Sequence, residues 1–418
     1  MAHQDDDLLF INPAIQEDFK AGKCIRVVYL TAGDAQLPWP GGYALRRELG
    51  VQQAYSFLAG APMSPHAPSH WKPSPILVGK RVLHRVRLDT GAQRPDIHLI
   101  FLRLPDGGWS KAASQRNNLL ALFQSRIHSL RATDGSASYT ETELIETLAA
   151  LIKRYQPSTV RTLDFANTEL KSSRQPWHDH NDHAVAARYF RMTVMRAQSR
   201  HVALTLTGYA GYGSVTRPPN LDLAQTDNKT AIFKHYYIHD NRQGDENCPG
   251  NYCAPTRKVA AQYERWLRRY YPRPRPAPGP GAIMSWIGST ATSFTHPDLC
   301  LTQDHNRFLT TPCTGSANQR WRLARRLLQP EDTGDSRCAA TEDKAVTLQP
   351  CTPTSSRWAI TPLGQLRTTT GCLTQDDLLR PNPELHLAAC TPSDPGQRWF
   401  TRLRHATDCP WSTTPSAP

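Results

Sequence analysis

The chain has 418 residues, of which 39% are hydrophobic and 20% charged, so it can fold as two or three globular domains. Its formal net charge of +13 favours an acidic polysaccharide, a nucleic acid or an anionic membrane as partner. The basic residues are dispersed and form no nucleic-acid-binding motif, so no nucleic-acid partner is expected. No apolar run approaches the ~20 residues of a membrane-spanning helix, which excludes a membrane span.

The placement of the cysteines favours structural disulfides. Cys24 is isolated, Cys248 and Cys253 are close together, and the remaining seven of the ten fall between Cys300 and Cys409. None has the C-x-x-C spacing of a zinc ribbon. Disulfides predict an oxidising compartment and hence a secreted protein. The chain nevertheless opens without the basic and apolar regions of a signal peptide.

Residues 1–271 alternate predicted strands with predicted helices. The strand predictions are Ile25–Thr31, Arg81–Leu88, Ile97–Leu104, Thr159–Leu163 and residues 202–207. Apolar residues at helical spacing predict helices over residues 44–59, 183–194, 226–239 and 256–271, and over Glu141–Tyr155 behind a capping box of Thr140 and Glu143. The alternation predicts an α/β domain with a Rossmann-like, mostly parallel sheet and flanking helices.

Residues 272–282 are rich in proline and predict an extended, semi-rigid linker. Beyond this linker the helical periodicity disappears, and residues 283–404 contain three copies of one pattern. Each copy has two cysteines followed by a tryptophan: Cys300, Cys313 and Trp321; Cys338, Cys351 and Trp358; Cys372, Cys390 and Trp399. The repeats predict a pseudo-threefold all-β domain, followed by a tail at residues 405–418.

The first residues of the chain and a later histidine-rich stretch contain the parts of a metal-dependent hydrolase. His3 and Asp6 can bind one divalent ion together with His183, which leaves a fourth position for water. This pattern is typical of catalytic zinc, which lowers the pKa of bound water and polarises a carbonyl oxygen. Asp5 can then take the proton of the water, and His180 can stabilise the developing oxyanion.

Five motifs in residues 1–271 resemble those of the PIG-L (LmbE-like) family. They are Ala-His-Gln-Asp-Asp-Asp at residues 2–7, Thr31-Ala32-Gly33-Asp34, Arg47-Glu48, Leu104-Pro105-Asp106-Gly107 and His180-Asn181-Asp182-His183. The resemblance implies zinc-dependent deacetylation of N-acetylglucosamine-type sugars, with one zinc ion and the residue roles given above. It also implies that Arg47 and Asp106 contact the sugar.

Three features depart from the family pattern. Gln4 stands where proline is usual, and Asp7 where glutamate is usual. The strand that precedes the first motif in the family has no counterpart. We therefore expect the coding sequence to continue upstream of Met1 with a strand and a signal peptide. If Met1 is the true start, His3 lies on a fraying terminus and zinc affinity is expected to be poor.

The repeats resemble a ricin-type β-trefoil lectin over roughly residues 283–404, with Gln-x-Trp signatures at residues 319–321 and 397–399. The resemblance implies the disulfides Cys300–Cys313, Cys338–Cys351 and Cys372–Cys390. The family's sugar site needs an aspartate after the first cysteine and an aromatic residue before the second. These positions hold Thr302, Ala340 and Thr374, and Thr311, Gln349 and Ala388. Asn318, Gln319 and Gln397 remain as candidate sugar contacts, so binding in the usual mode stays open.

Together these features predict a secreted, monomeric, zinc-dependent N-deacetylase of N-acetylated amino sugars, in a glycan or glycoconjugate, with an appended lectin-like domain. One alternative is a non-catalytic carbohydrate-binding protein with a vestigial deacetylase domain. Another keeps the hydrolase but changes its substrate to an acylated glycopeptide or a thiol conjugate. The net charge favours an acidic glycan.

Overall fold

The computed structural model describes residues 1–39, 42–62, 70–89, 95–108, 116–165, 179–198, 204–241, 258–275, 281–285, 299–331, 336–352, 354–361, 363–375, 385–392, 394–401 and 404–405. The chain divides into two compact units. The first comprises Met1–Val194 and Leu204–Pro276, and the second comprises Met195–Ala203 and Ala277–Pro418. Cys248, Cys253, Cys409 and residues 406–418 of the tail lie outside the described residues.

The larger sheet of the first unit is mixed. Strand β1 (Ile25–Thr31) runs parallel to β5 (Ile97–Leu104), which pairs antiparallel with β4 (Arg81–Leu88). Strands β2 (Trp71–Pro73) and β3 (Ile76–Val78) also pair antiparallel with β4. Two successive strands can run parallel only if a long crossover, usually a helix, connects them. The described residues between β2 and β5 contain no helix, in keeping with the antiparallel pairing of these strands. The prediction of a mostly parallel sheet is therefore wrong for this part of the chain.

A smaller sheet follows later in the first unit. Strand β8 (Thr159–Leu163) is parallel to β9 (Thr205–Tyr209), with a helix between them in the chain, and β10 (Pro272–Arg275) pairs antiparallel with β9. The prediction of a linker is wrong for Pro272–Arg275, because these residues form a strand. Strand β10 has one paired neighbour in this sheet, and proline is tolerated in such an edge strand.

The described residues contain seven α-helices, which lie in the first unit except for the last residues of the fifth helix. They are α1 (Ala14–Lys20), α2 (Tyr43–Leu58), α3 (Leu119–Phe123), α4 (Glu141–Tyr155), α5 (Asn181–Gln198), α6 (Leu223–Tyr237) and α7 (Ala261–Leu267). A hairpin of β6 (Ser129–Arg131) and β7 (Ser138–Thr140) precedes α4. The capping box of Thr140 and Glu143 is confirmed, whereas α7 is much shorter than the predicted helix over residues 256–271. None of the described helices combines the length and apolar character that a membrane crossing requires.

The opening residues are anchored to β1. The amino group of Met1 donates to the Val28 carbonyl at 2.6 Å, and Leu30 N donates to the Met1 carbonyl at 3.0 Å. These two bonds form one step of a parallel ladder, and Met1 is only 6% exposed. Residues of β1 and β8 are among those that line a cavity of about 470 Å³, to which Met1 also contributes. His3 therefore follows a segment that main-chain hydrogen bonds hold in place.

The second unit is built from short strands. They are β11 (Ile283–Ser285), β12 (Leu299–Asp304), β13 (Arg307–Pro312), β14 (Trp321–Ala324), β15 (Leu327–Pro330), β16 (Arg337–Glu342), β17 (Ala345–Pro350), β18 (Ala359–Ile360), β19 (Leu366–Arg367), β20 (Cys372–Gln375), β21 (Leu385–Ala388), β22 (Trp399–Thr401) and β23 (Arg404–His405). The three repeat tryptophans share one apolar core and are at most 2% exposed. The expected all-β domain is confirmed for this unit.

The three repeats use the same internal contacts. Each indole N–H donates to the carbonyl of the residue that follows the first cysteine, at 2.9 Å to Leu301, 2.9 Å to Ala339 and 3.1 Å to Leu373. Each repeat also closes its predicted disulfide, Cys300–Cys313, Cys338–Cys351 and Cys372–Cys390. All three pairings are therefore confirmed.

Candidate metal centre and lectin domain

The loop that carries the first motif is shaped by its own side chains. His3 N donates to Asp6 Oδ2 at 2.7 Å, and Leu9 N donates to the Asp5 carbonyl at 2.9 Å. A π-helical turn over Asp7–Ile11 follows, and all five of its residues are buried. One carboxylate oxygen of Asp6, Oδ2, therefore accepts a hydrogen bond within the loop, and the other, Oδ1, can contact a second partner.

The second histidine cluster lies at the start of α5. His183 is in the first turn of this helix, and its Nδ1 lies 2.6 Å from Asp179 Oδ1. Asp179 Oδ1 also accepts bonds from His180 N and from Tyr212 N, at 2.9 and 3.3 Å. A carboxylate on one ring nitrogen orients a ligating histidine, since the other nitrogen must then face the metal. Here Asp179 leaves Nε2 of His183 for that role.

The three predicted metal ligands converge. His183 Nε2 lies 2.9 Å from Asp6 Oδ1 and 3.2 Å from His3 Nδ1, and His3 Nδ1 lies 3.5 Å from Asp6 Oδ1. Bonds of about 2.0–2.1 Å in tetrahedral geometry hold the ligand atoms of a zinc site about 3.3 Å apart. The three residues are at most 4% exposed. The separations and the donor set of two imidazoles and one carboxylate therefore fit a zinc ion.

The protein charge around these ligands favours a cation. Burial alone would lower the pKa of His183, but the carboxylates of Asp6 and Asp179 raise this pKa to about 10. Burial would raise the pKa of Asp6, but His183 and His3 hold this pKa well below its ordinary value. The carboxylates therefore favour positive charge on the protons or the ion that the histidines bind. A divalent ion can replace those protons, as in other sites where metal binding releases protons.

The predicted general base is paired with a predicted substrate contact. Asp5 Oδ1 accepts a bond from Arg47 Nη2 at 2.7 Å, and Arg47 also donates to Tyr236 Oη at 2.6 Å and to the Gly33 carbonyl at 2.8 Å. A Cβ on Gly33 would lie 2.3 Å from Arg47 Nη1, so glycine lets the guanidinium approach. Burial raises the pKa of Asp5, and Arg47 opposes that rise.

Arg47 is itself only 6% exposed. Its described contacts therefore fix the general base, and its contact with a sugar stays a prediction. The neighbouring Tyr236 comes from α6, and sequence reasoning missed it because nothing in the local sequence marks it as a partner of Arg47.

His180 and Asp106 form a second group around His3. Asp106 Oδ2 lies 3.6 Å from His3 Nε2, and Asp106 Oδ1 lies 3.7 Å from His180 Nε2. His180 Nδ1 accepts a bond from Asp182 N at 3.2 Å, so the proton of the neutral ring is on Nε2. Burial lowers the pKa of His180 to about 4, which keeps this ring neutral near pH 7. The predicted oxyanion stabiliser therefore has an N–H to donate beside the metal ligands.

Asp106 is 9% exposed and is held by its surroundings. Its main-chain N donates to Asp34 Oδ1, while Gly108 N donates to one of its carboxylate oxygens at 2.7 Å. Burial would raise the pKa of Asp106, but His3 and His180 lower it to about 2. Its predicted contact with a sugar stays a prediction. Asp34, quoted above only as part of a motif, helps to fix the Asp106 loop, together with Asp182, whose Oδ2 accepts a bond from Gly107 N at 2.7 Å.

The second unit resembles a known family. The family model of the ricin-type beta-trefoil lectin domain matches residues 290–399. These residues form a ricin-type β-trefoil lectin domain. A search of curated proteins finds no match to the chain. The lectin domain and its three disulfides fit an extracellular protein.

The lectin domain uses two of the three candidate sugar contacts internally. Gln319 is 3% exposed, accepts from Thr314 N at 2.7 Å and donates to Thr311 Oγ1 at 2.9 Å. Gln397 is 1% exposed, accepts from Thr391 N at 2.8 Å and donates to the Ala389 carbonyl at 2.8 Å. Both glutamines thus stabilise the loops that precede the tryptophans.

Asn318 is exposed, and its amide donates to the Gln303 carbonyl at 3.2 Å. Of the three candidates in the lectin domain, it is the one whose side chain reaches the surface. Sugar contact by Asn318, Gln319 or Gln397 stays a prediction.

Proposed function

We propose that the first unit is a zinc-dependent hydrolase that removes N-acetyl groups from amino sugars of a glycan or glycoconjugate, and that the lectin domain binds the same glycan. The observation that carries this proposal is the convergence of His3 Nδ1, Asp6 Oδ1 and His183 Nε2 within 3.5 Å, beside the buried carboxylate of Asp5. The resemblance of the motifs to the PIG-L (LmbE-like) family supports the choice of substrate.

The protein residues have distinct roles in this proposal. His3, Asp6 and His183 would hold the zinc ion, which when bound lowers the pKa of water and polarises the acetyl carbonyl. Asp5 takes a proton from water as its oxygen attacks the carbonyl carbon. His180 donates from Nε2 to the oxygen that gains negative charge. Asp5 then returns the proton to the nitrogen as the C–N bond breaks, which gives acetate and a free amine.

The electrostatics around Asp5 suit this role. A general base works best when its pKa lies near the operating pH, and burial moves the pKa of Asp5 upward from that of an ordinary aspartate. Arg47 opposes this rise and orients the carboxylate through its hydrogen bond to Asp5 Oδ1. The neutral His180 ring does not compete with Asp5 for the proton of the water.

A lectin domain on the same chain raises the local concentration of glycan at the hydrolase. Tethering two binding modules converts the second contact into an intramolecular one, which strengthens binding to a polymer but not to a monomer. We therefore expect acetylated oligosaccharides to be better substrates than acetylated monosaccharides, mainly through a lower KM.

The decisive experiment measures zinc content and acetate release of the full chain with N-acetylated amino-sugar oligomers as substrate. Asp5→Asn keeps the three ligands but removes the base, so we expect stoichiometric zinc and a fall in kcat of at least about 100-fold. His183→Ala removes a ligand and should lose both zinc and activity. Asp227→Asn, an exposed aspartate on α6, is the matched control and should behave like the parent.

Full activity of the Asp5→Asn chain would contradict the assigned mechanism. A parent chain that binds glycans but neither retains added zinc nor releases acetate would instead favour the second candidate function, a carbohydrate-binding protein without catalysis. The observation favouring that candidate is that the family match lies in the lectin domain. Acetate release from an acylated glycopeptide or thiol conjugate, but not from amino-sugar oligomers, would keep the hydrolase and change its substrate.

A further inference from the structure

A basic cavity lies between the second and third repeats of the lectin domain. Its volume is about 420 Å³, and its walls include Arg326, Arg357, Arg367 and the turn 368–371, which supplies three threonines and a glycine. The three arginines are exposed. The glutamines and asparagine considered above do not line this cavity, so it is a different place from the predicted sugar contacts.

Arg326 occupies a position where the other two repeats have glycine. In each repeat the main-chain N of the tryptophan donates to one carbonyl: Trp321 to Gly281, Trp358 to Arg326 and Trp399 to Gly364, at 2.7–2.8 Å. The residue two positions further on is fully buried in all three cases: Ile283, Leu328 and Leu366. Gly281, Arg326 and Gly364 are therefore equivalent positions of the pseudo-threefold fold.

All three positions have left-handed backbone. Their φ angles are +86° for Gly281, +65° for Arg326 and +82° for Gly364. A residue with a Cβ is strained in this region, and glycine is not. A Cβ on Gly364 would lie 2.6 Å from the Trp399 carbonyl oxygen, so the position is also crowded. The fold therefore favours glycine here, and an arginine in a strained conformation indicates a use for its side chain.

Arg326 and Arg367 bring positive charge to this cavity. Among the described residues, no ion pair joins Arg326 or Arg367 to a carboxylate, and no acidic residue lines the cavity. Arginine guanidinium groups bind planar carboxylates and tetrahedral oxyanions through paired N–H donors. Thr368 and the Gly371 carbonyl are hydrogen-bonded within the turn, whereas the exposed Thr369 and Thr370 add neutral hydroxyl groups suited to sugar hydroxyls.

We propose that this cavity binds the anionic group of an acidic saccharide, a carboxylate or a sulfate, and that the lectin domain selects acidic glycans. A saccharide is favoured over other polyanions because the arginines lie in a lectin domain and share the cavity with hydroxyl groups. The inference rests on the lectin domain and is independent of whether the first unit deacetylates anything.

The test measures binding of the full chain to heparin and to polygalacturonate, with neutral chitooligosaccharides as the uncharged probe, at 50 and 150 mM NaCl. Arg326→Gln combined with Arg367→Gln should weaken binding of the anionic probe at least tenfold and leave the neutral probe within twofold. Binding of heparin alone identifies sulfate as the ligand group, and binding of polygalacturonate alone identifies carboxylate. Because no turnover is read, failure of deacetylation and failure of this inference are distinguishable.

Arg325→Gln is the matched control. Arg325 is also exposed, has a positive φ and adjoins Arg326, but it does not line the cavity. An equal loss with Arg325→Gln would mean diffuse attraction to a basic surface and would overturn the proposal. The proposal would also be overturned if the parent bound neither anionic probe. It would likewise be overturned if a single-stranded oligonucleotide bound as tightly as the acidic saccharides and lost affinity in the same variants. Arg326→Gly introduces the residue of the sister repeats and serves if the glutamine variants fail to fold.

Discussion

Buried polar groups have different surroundings in the two units of this protein. In the first unit, charged side chains such as His3, Asp6 and His183 lie against one another with at most 4% exposure. Such a group of buried charges is expensive to assemble and is typical of functional sites. In the lectin domain, the buried glutamines 319 and 397 each accept and donate hydrogen bonds to nearby loops, beside an apolar core that contains the three repeat tryptophans.

The difference teaches that burial of a polar residue is by itself no sign of function. Gln319 is as deeply buried as His3, yet its partners are all local and neutral, and the same kind of contact recurs at Gln397. The predicted metal ligands of the first unit contact groups of opposite charge, and one of these contacts joins distant parts of the chain, since His183 Nε2 lies 2.9 Å from Asp6 Oδ1. A separation of 180 residues divides His3 from His183, whose ring nitrogens lie 3.2 Å apart. We therefore expect the stability and ligand binding of the first unit to depend on pH and metal. We expect the stability of the lectin domain to depend on packing and on its disulfides.

The largest effect that we expect in this comparison concerns Lys229 on α6. Its side chain is fully buried and donates to the Arg269 carbonyl at 2.7 Å, and burial lowers its pKa to about 7. An unfolded lysine titrates near 10.5, so the unfolded state binds more protons between pH 7 and 10.5. The free energy of unfolding of the first unit should therefore rise across this window, by up to about 5 kcal/mol.

Chemical denaturation of the parent and of Lys229→Met, from pH 7 to 10, measures this contribution as the difference between the two chains. Lys234→Met changes an exposed lysine on the same helix and should leave the pH dependence as in the parent. A Lys229→Met chain with the same pH dependence as the parent would show that Lys229 is charged and solvated in the folded state.

In the lectin domain, the corresponding perturbation is loss of a cross-link. Replacing both Cys338 and Cys351 by serine opens a loop with a sequence separation of 13 residues. Loop entropy then predicts a loss of about 3 kcal/mol in the free energy of unfolding of this domain, with little dependence on pH. Thermal unfolding followed by tryptophan fluorescence measures it. Cys24→Ser is the control, since Cys24 is the free cysteine of the described residues; an equal loss there would contradict the entropic account.

Sequence reasoning was accurate where local chemistry determines the structure. The strand bounds at Ile25–Thr31, Arg81–Leu88 and Ile97–Leu104 are confirmed, because each apolar run ends at residues that favour turns. The disulfide pairing is also confirmed, because three copies of one pattern leave a simple choice within each copy. The convergence of His3, Asp6 and His183 could be predicted from residue type and motif order.

The failures have a common cause in contacts between distant segments. Pro272–Arg275 has the composition of a linker, but pairing with β9 makes it an edge strand. The bond of Arg47 to Asp5 joins α2 to the first loop and depends on how those elements pack. Asp179 adjoins the histidine motif, but its role depends on the approach of Gly211, where a Cβ would lie 2.3 Å from Asp179 Oδ2. None of these contacts leaves a local pattern in the sequence.

A substitution of Asp179 should have a smaller effect on the first unit than the changes described above. Asp179→Asn keeps the shape of the side chain but removes the charge that orients His183 Nδ1, so we expect zinc affinity to fall about 10- to 100-fold. Competition with a chromophoric chelator measures the affinity, and Asp227→Asn again serves as control. The Asp179 carboxylate raises the pKa of His183, so its loss lets the ring lose its proton at lower pH, and we also expect the pH profile of zinc binding to shift toward lower pH. A merely structural role would not move this profile. Unchanged affinity and an unchanged profile would exclude Asp179 as a positioning residue.

The smallest effect on stability is expected at Arg326 in the lectin domain. Arg326→Gly relieves the strain of the left-handed backbone but gives the unfolded chain more freedom, so the two effects nearly cancel and the change should stay within about 1 kcal/mol. Gly364→Ala at the equivalent position should be clearly more destabilising, because its Cβ would lie 2.6 Å from the Trp399 carbonyl oxygen. Thermal unfolding of the two variants gives this comparison. If Arg326→Gly destabilised the domain by several kcal/mol, the arginine would be part of the scaffold, and its strained backbone would no longer point to a binding role.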